Sequence, residues 1–312
     1  MKSAVITGAT GAIGRALIDE LLQNGIEVLA LCRHEGRARE LPTHPLLRIQ
    51  YCSLSELSTL QHRAEKPYDV FYHFGWAGTN GTERNVPALQ CDNIRYALDA
   101  VCAAKRLGCH TFIGAGSQAE YGRFTDTLTP NTPTFPESGY GIAKLAAGGL
   151  TRLAASASGM RHIWVRILSV YGPYDNEKSL VSSTILALLC SKTPQFTKGE
   201  QLWDFLYSRD AAHALFLLAV HGKHGAIYPL GSGRARPLKE YLLLLRDIVA
   251  PHAPLEFGVI PYAKDQVMHL CADITAITAD TGWHPTTDFC DGIRETAAWW
   301  QMQGSLSNGE TQ

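Results

Sequence analysis

Apolar and polar positions alternate along the first half of the chain in two rhythms. Short runs rich in apolar residues at 3–7, 26–32, 46–51, 69–74, 110–115 and 161–168 read as strands, that at 110–115 as a buried one. Between them, 15–24, 54–64, 86–107 and the segment carrying Tyr140 and Lys144 place apolar residues at helical spacing. Gly25 and Gly108 stand where helix C′ residues belong. Strands and helices in strict turn predict an α/β fold with a doubly wound parallel sheet and right-handed crossovers. Ligands of such sheets bind beyond the carboxyl ends of the strands, and Gly8, Gly75, Ser117 and Ser169 all fall at or just after such ends.

After Gly172-Pro173 the rhythm loosens. Helices are predicted at 180–190, 209–220 and 238–249, strands at 201–207, 226–230 and 255–260, and two last helices flank Gly282-Trp283-His284-Pro285. The division that follows is a dinucleotide-binding domain over 1–172 and a smaller mixed α/β C-terminal substrate domain over 173–312, with some segments returning to the main sheet. The polar tail 304–312 is expected to fray.

Composition narrows the function. Hydrophobic residues make up 46% and charged residues 18%, and the net charge is -1 with no run of like charges, so nucleic acid and anionic membranes are not expected partners. The longest nearly apolar run, 214–220, is far shorter than a bilayer span, and strand-like sequence from Ser3 leaves no room for a secretory signal. Eight cysteines show neither Cys-x-x-Cys nor zinc spacing, and the twelve histidines are scattered; they predict buried free thiols, no metal, and the cytoplasm.

The first strand is followed by Gly8-Ala9-Thr10-Gly11-Ala12-Ile13-Gly14 and then a helix. Glycines allow a tight turn and close backbone approach to a pyrophosphate, whose charge meets the helix N-terminus, as in a Rossmann sheet. At the end of the second strand the acid that would hold a ribose 2′-hydroxyl is missing, and Arg33, His34 and Arg37 stand there instead, which favours NADP over NAD.

Tyr140 and Lys144 lie at i and i+4, so their Cβ atoms share a helix face about 5–6 Å apart. A free phenol, with a pKa of about 10, is a poor base at neutral pH, whereas a nearby ammonium favours the phenolate. The spacing therefore predicts a tyrosine tuned downward by its lysine for proton transfer, with Ser117 beside it.

On the segments 7–14, 117–122 (Ser117-Gln118-Ala119-Glu120-Tyr121-Gly122), 140–144, 166–173, 203–210 and 282–285, the chain resembles the extended short-chain dehydrogenase/reductase family, in particular its nucleotide-sugar epimerases, dehydratases and reductases. The resemblance runs from about residue 3 to 300. It implies catalytic Ser117, Tyr140 and Lys144, with Lys144 also holding the nicotinamide ribose. Cofactor contacts would come from Gly8, Thr10, Gly11, Ala12, Ile13, Gly14, Arg33, Gly75, Trp76, Ala77, Asn93, Ala115, Ile167 and Ser169, and substrate contacts from Gly78, Ser117, Gln118 and Trp203. It also implies a homodimer built by pairing the helix 86–107 with the Tyr140 helix, whose apolar face includes Leu145, Ala146 and Leu150. Three departures stand out. The acid pair that 4,6-dehydratases carry after the serine or threonine is Gln118-Ala119 here. Two arginines that contact the sugar nucleotide are replaced by Trp203 and by residues such as Met268 and His269, leaving Arg123, Arg234, Arg236 and Lys198 as stand-ins. The expected reaction is hydride transfer at C4 of a nucleotide-activated hexose: reduction of a 4-keto-6-deoxy sugar, or 4-epimerisation, with a non-catalytic dinucleotide sensor as the reading of another class.

Overall fold

The structure is a computed structural model that describes residues 1–61 and 66–309. In chain order its elements are β1 (Ser3–Thr7), α1 (Ala12–Gln23), β2 (Glu27–Cys32), α2 (Glu35–Ala38), β3 (Leu47–Tyr51), β4 (Val70–His73), α3 (Pro87–Arg106), β5 (Thr111–Ser117), α4 (Gly139–Ala157), β6 (Arg161–Ile167) and β7 (Ser169–Tyr171). They continue as α5 (Leu180–Leu189), β8 (Gln195–Phe196), β9 (Leu202–Trp203), β10 (Phe205–Tyr207), α6 (Ser208–His221), β11 (Ile227–Leu230), β12 (Arg236–Pro237), α7 (Leu238–Val249), β13 (Glu256–Phe257), α8 (Thr275–Thr281) and α9 (Phe289–Gly309).

Seven strands form one parallel sheet in the order β11-β6-β5-β4-β1-β2-β3. Every residue of β1 is buried, and alternate side chains feed opposite layers. Ala4 and Ile6 pack with Leu17, Leu21 and Leu215 under α1 and α6, while Val5 packs with Phe71, Val101 and Phe112 under α3. Helices α1 and α6 pack together, as do α3 and α4. The sequence of apolar runs thus dictates a sheet covered on both faces, whose open rim is the line of strand carboxyl ends.

β11 lies in this sheet beside β6, so the chain re-enters the dinucleotide-type half after leaving it. The rest of the second half is a smaller layer in which Ile185, Leu245, Ile293 and Trp300 bring α5, α7 and α9 together. One short pair, β7 with β10, ties it to the rim, and two more, β9 with β12 and β8 with β13, lie within it.

Several expectations need correction. The helix expected over 54–64 is a 3-10 turn at Leu54–Thr59, opened by Ser53 and Glu56 in a capping box, and positions 62–64 lie outside the described residues. The strand expected over 201–207 breaks at Asp204 into β9 and β10. The wholly buried Asp204 carboxylate accepts from the amides of Ser232, Gly233 and Ala272 and from the Ser232 hydroxyl, so it turns away from any ladder. At 255–260 only β13 is extended. The backbone of α9 continues past Gly304 to Gly309, where fraying was expected; 310–312 lie outside the described residues. All eight cysteines are free, but Cys91, Cys102 and Cys190 are exposed rather than buried.

Candidate active site

β1 ends in a turn that only glycine fits at two points. Gly8 has φ +71°, and a Cβ there would lie 2.8 Å from the Gly75 nitrogen; a Cβ on Gly14 would lie 2.2 Å from the Gly8 carbonyl oxygen. Gly11 is the N-cap of α1 and offers no side-chain acceptor to the first amides of that helix. A cavity of about 420 Å³ opens directly on Gly8, Gly11, Ala12, Ile13 and Gly14. Free amides, a helix N-terminus and a backbone that a Cβ would obstruct fit a pyrophosphate, so the residues present fit a dinucleotide.

The same cavity is lined by Ser117, Tyr140 and Lys144. Ser117 closes β5. Its amide donates to Glu120 Oε1 (2.8 Å) and its oxygen accepts from the Ala119 amide (3.2 Å), which fixes it where the strand meets a turn. Glu120 is itself wholly buried and holds Arg166 (2.7 Å) and the Trp164 indole (3.0 Å). Tyr140 is the second residue of α4, whose start is fixed by the Ser138 hydroxyl accepting from the Gly141 amide and by Asn85 accepting from Gly139. The Ser117 hydroxyl pulls the Tyr140 phenol pKa downward.

Lys144 stands beside the Tyr140 ring, as the spacing predicts, but its closest partners lie elsewhere. Its Nζ donates to the Ala115 carbonyl (2.7 Å) and lies 3.8 Å from the centroid of the Trp76 ring, whereas the Tyr140 ring centroid is 5.7 Å away. Burial pulls the Lys144 pKa down to about 7. The Tyr140 phenol is pushed up by its own desolvation, against the opposing pull of Ser117 and of Arg84, whose guanidinium carbon stands 4.3 Å over the ring. Ser117 and Arg84 thus pull the phenol downward, while the Lys144 ammonium is held most closely by the strand carbonyl and the indole face.

A sequence profile of the NAD dependent epimerase/dehydratase family matches residues 4–231. The chain belongs to this family. Among curated relatives, it is 30% identical over 180 residues to the dTDP-glucose 4,6-dehydratase of Shigella flexneri, a match that covers 55% of this chain and 50% of that protein. Thus the chain spans about half the length of that relative. The dTDP-glucose 4,6-dehydratase of Haemophilus influenzae is 23% identical over 98% of this chain and 100% of its own. Of solved structures, the UDP-N-acetylglucosamine 4-epimerase of Methanobrevibacter ruminantium M1, in complex with UDP-N-acetylmuramic acid, matches with a TM-score of 0.87 at 22% identity, covering 97% of this chain and 99% of that one. The UDP-glucuronic acid 4-epimerase of Bacillus cereus in complex with NAD matches at 0.83 and 20%, covering 96% and 99%.

In this epimerase/dehydratase family member the remaining expected residues separate into groups. Trp76, Ala115, Ile167 and Gln118 line the cavity with the glycine turn. Gly75, Ala77 and Gly78 shape its wall from behind: the Gly75 amide donates to Thr7 Oγ1, and Asn93, 1% exposed, grips both the amide and the carbonyl of Ala77. Asn93 consequently holds the loop and does not reach the cavity. Thr10 is half-buried on the glycine turn, and Arg33 is exposed past the end of β2, its guanidinium 3.4 Å from His34 Nε2. Ser169 faces a second cavity of about 460 Å³, where its hydroxyl accepts from Trp203 Nε1 (2.8 Å). The two cavities meet at Leu168, Val170 and Asp175. Arg123 pairs with Glu137 instead of facing either cavity, and Arg234, Arg236 and Lys198 are absent from both linings. Sequence reasoning missed Thr79, Asn80 and Arg84 on one side and Asp175 on the other, since they sit on loops and a short 3-10 turn without periodic signal. Among the described residues no helix is long and apolar enough to cross a membrane, and no cluster of metal-ligating side chains occurs.

Proposed function

We propose that the chain reduces a 4-keto-6-deoxy hexose carried on a nucleotide, using NADPH. The observation that carries this reading is the convergence of Ser117, Tyr140 and Lys144 on the cavity that the glycine turn opens, with a second, larger cavity adjoining it. The reduced nicotinamide, when bound, supplies hydride to the carbonyl carbon. Tyr140 donates its phenolic proton to the carbonyl oxygen, Ser117 orients that oxygen by a hydrogen bond, and Lys144 offers an ammonium to the ribose hydroxyls. Arg33, exposed at the end of β2 beside His34, supports a 2′-phosphate and hence NADP within an NAD-type family. Gln118 on the cavity wall and the buried Ala119 supply neither acid nor base for eliminating water, which speaks against 4,6-dehydration.

A 4-epimerase reading is favoured by the likeness to solved 4-epimerases and uses the same acid/base. The experiment is to incubate purified protein with keto-sugar nucleotides and NADPH. Consumption of one NADPH per sugar supports reduction; inversion of a hydroxyl with no net consumption overturns it in favour of epimerisation. Tyr140→Phe is expected to lower kcat by about 10²–10⁴-fold; unchanged turnover sinks both readings and leaves a dinucleotide-binding sensor.

A homodimer belongs to the same proposal. Ile142, Leu150 and Leu153 are exposed along one side of α4, and light scattering reads whether a second copy covers them. The eight free thiols support a reducing compartment, the cytoplasm.

A further inference from the structure

We propose that Arg84 is a positioning residue of the proton-transfer site: its guanidinium, fixed over the Tyr140 ring, is a second cation, beside Lys144, that stabilises the phenolate. This rests on the reading of Tyr140 as the acid/base. Arg84 belongs to the 3-10 turn Gly81–Asn85, which follows the loop after β4. Its guanidinium carbon is 4.3 Å from the Tyr140 ring centroid, and Nη1 donates to the Thr79 carbonyl (2.9 Å), so the charge is tethered near the ring. Thr79, Arg84 and Tyr140 all line the dinucleotide-type cavity.

The turn is held at its middle and its end. Asn85 Oδ1 accepts from the Gly139 amide at the start of α4, and the Glu83 carbonyl accepts from Gln90 of α3. Arg84 thus moves with the helix that carries Tyr140. A cation on the face of a phenol is attracted to the neutral ring and more strongly to the anion, whose charge spreads into that ring.

The groups around the phenol leave a role for Arg84. Tyr140 faces Ser117 from β5, Glu120 from the turn after it, Lys144 from its own helix, Trp76 from the loop after β4 and Arg84. Ser117 is neutral, and the Glu120 carboxylate opposes ionisation of the phenol. Lys144 is only partly protonated near neutral pH, because burial holds it near pKa 7, and its Nζ is engaged by Ala115 and Trp76. A guanidinium keeps its charge throughout this range, even though burial lowers the Arg84 pKa somewhat.

The test is the tyrosinate absorbance of the cofactor-free protein as a function of pH, with Tyr140→Phe in the same background subtracted to isolate one phenol among twelve. In Arg84→Gln, which keeps an N–H donor for the Thr79 carbonyl but no charge, the Tyr140 transition is expected to move up by about 1–2 pH units. Arg84→Lys should recover part of that shift. Coincident transitions in wild type and Arg84→Gln, or equal shifts in Arg84→Lys and Arg84→Gln, overturn the proposal. Circular dichroism selects the folded variants, and Arg84→Lys keeps the comparison open should Arg84→Gln fold poorly.

In turnover the sign is fixed. Reduction needs the protonated phenol, so its rate falls as pH rises through the Tyr140 pKa, and that fall should lie at higher pH in Arg84→Gln. If Tyr140→Phe reduces substrate as fast as wild type, the functional reading fails while the titration still reports on Arg84.

Discussion

Lys144 is 3% exposed, with one carbonyl and one indole face to receive its ammonium. Burial brings its pKa to about 7 in the folded chain, against about 10.4 in the unfolded one. Between those values the unfolded state binds more protons than the folded state, so this residue makes stability rise with pH across that window. Below pH 7 both states are protonated and the full burial cost is present. Lys144→Met, which fills a similar volume without charge, should therefore stabilise the cofactor-free protein most near pH 6, with the gain shrinking toward pH 10. Urea unfolding midpoints of the two proteins measure this, and a gain that stays constant with pH refutes it. Spacing in the sequence found Lys144 because i and i+4 place two Cβ atoms together. It could not show where four methylenes would take the charge, since that depends on Ala115 and Trp76 from distant parts of the chain. Arg84 stayed hidden for the same reason: its partner is named by packing, and the run from Thr79 to Asn85 has no period to read.

Among the elements, those buried on two sides were legible nearly to the residue. β1 and β6 follow directly from apolar runs, because the sheet interior tolerates little else, and α5 and α7, which pack in the smaller layer, follow from their apolar spacing. Elements held by a single polar side chain were not. β9 and β10 read as one strand until Asp204 is seen drawing Ser232, Gly233 and Ala272 onto its carboxylate from segments that follow β11 and precede α8. Asp204→Ala leaves those amides without an acceptor in a buried place, and each such loss costs about 1–3 kcal/mol. The variant should unfold several degrees earlier, with the larger loss in signals from the second cavity, which Trp203 and Phe205 border on either side of Asp204. Asp204→Asn, which keeps one carbonyl acceptor, should lose less. Equal melting of all three proteins would show that the segments hold together by apolar packing alone.

At the scale of the molecule, the sheet brings a dinucleotide-type cavity and a larger neighbour to one rim, and the neighbour's chemistry is unusual for the proposed substrate. Its walls are Leu180, Val181, Phe196, Trp203, Phe205 and Leu238, with Ser169, Thr197 and three glutamines, and Asp175 at the junction supplies its single formal charge among the described residues. A nucleotide diphosphate placed there finds hydroxyls, amides and an indole instead of a guanidinium. Binding held by neutral donors should depend weakly on ionic strength, because screening acts on charge pairs. KM for the sugar nucleotide should therefore change little as salt rises. Trp203→Arg supplies the missing cation and retains an N–H for the Ser169 hydroxyl that Trp203 now serves at 2.8 Å. One charge-assisted hydrogen bond is worth about 1.5–3 kcal/mol, roughly tenfold or more in affinity. Trp203→Arg should accordingly lower KM about tenfold at low salt and lose that advantage as salt is added, with kcat little affected. A steep salt dependence in the unaltered protein would instead place a cation on the diphosphate from outside these walls, and Arg236, paired with Trp203 across β9 and β12, is the residue to substitute next.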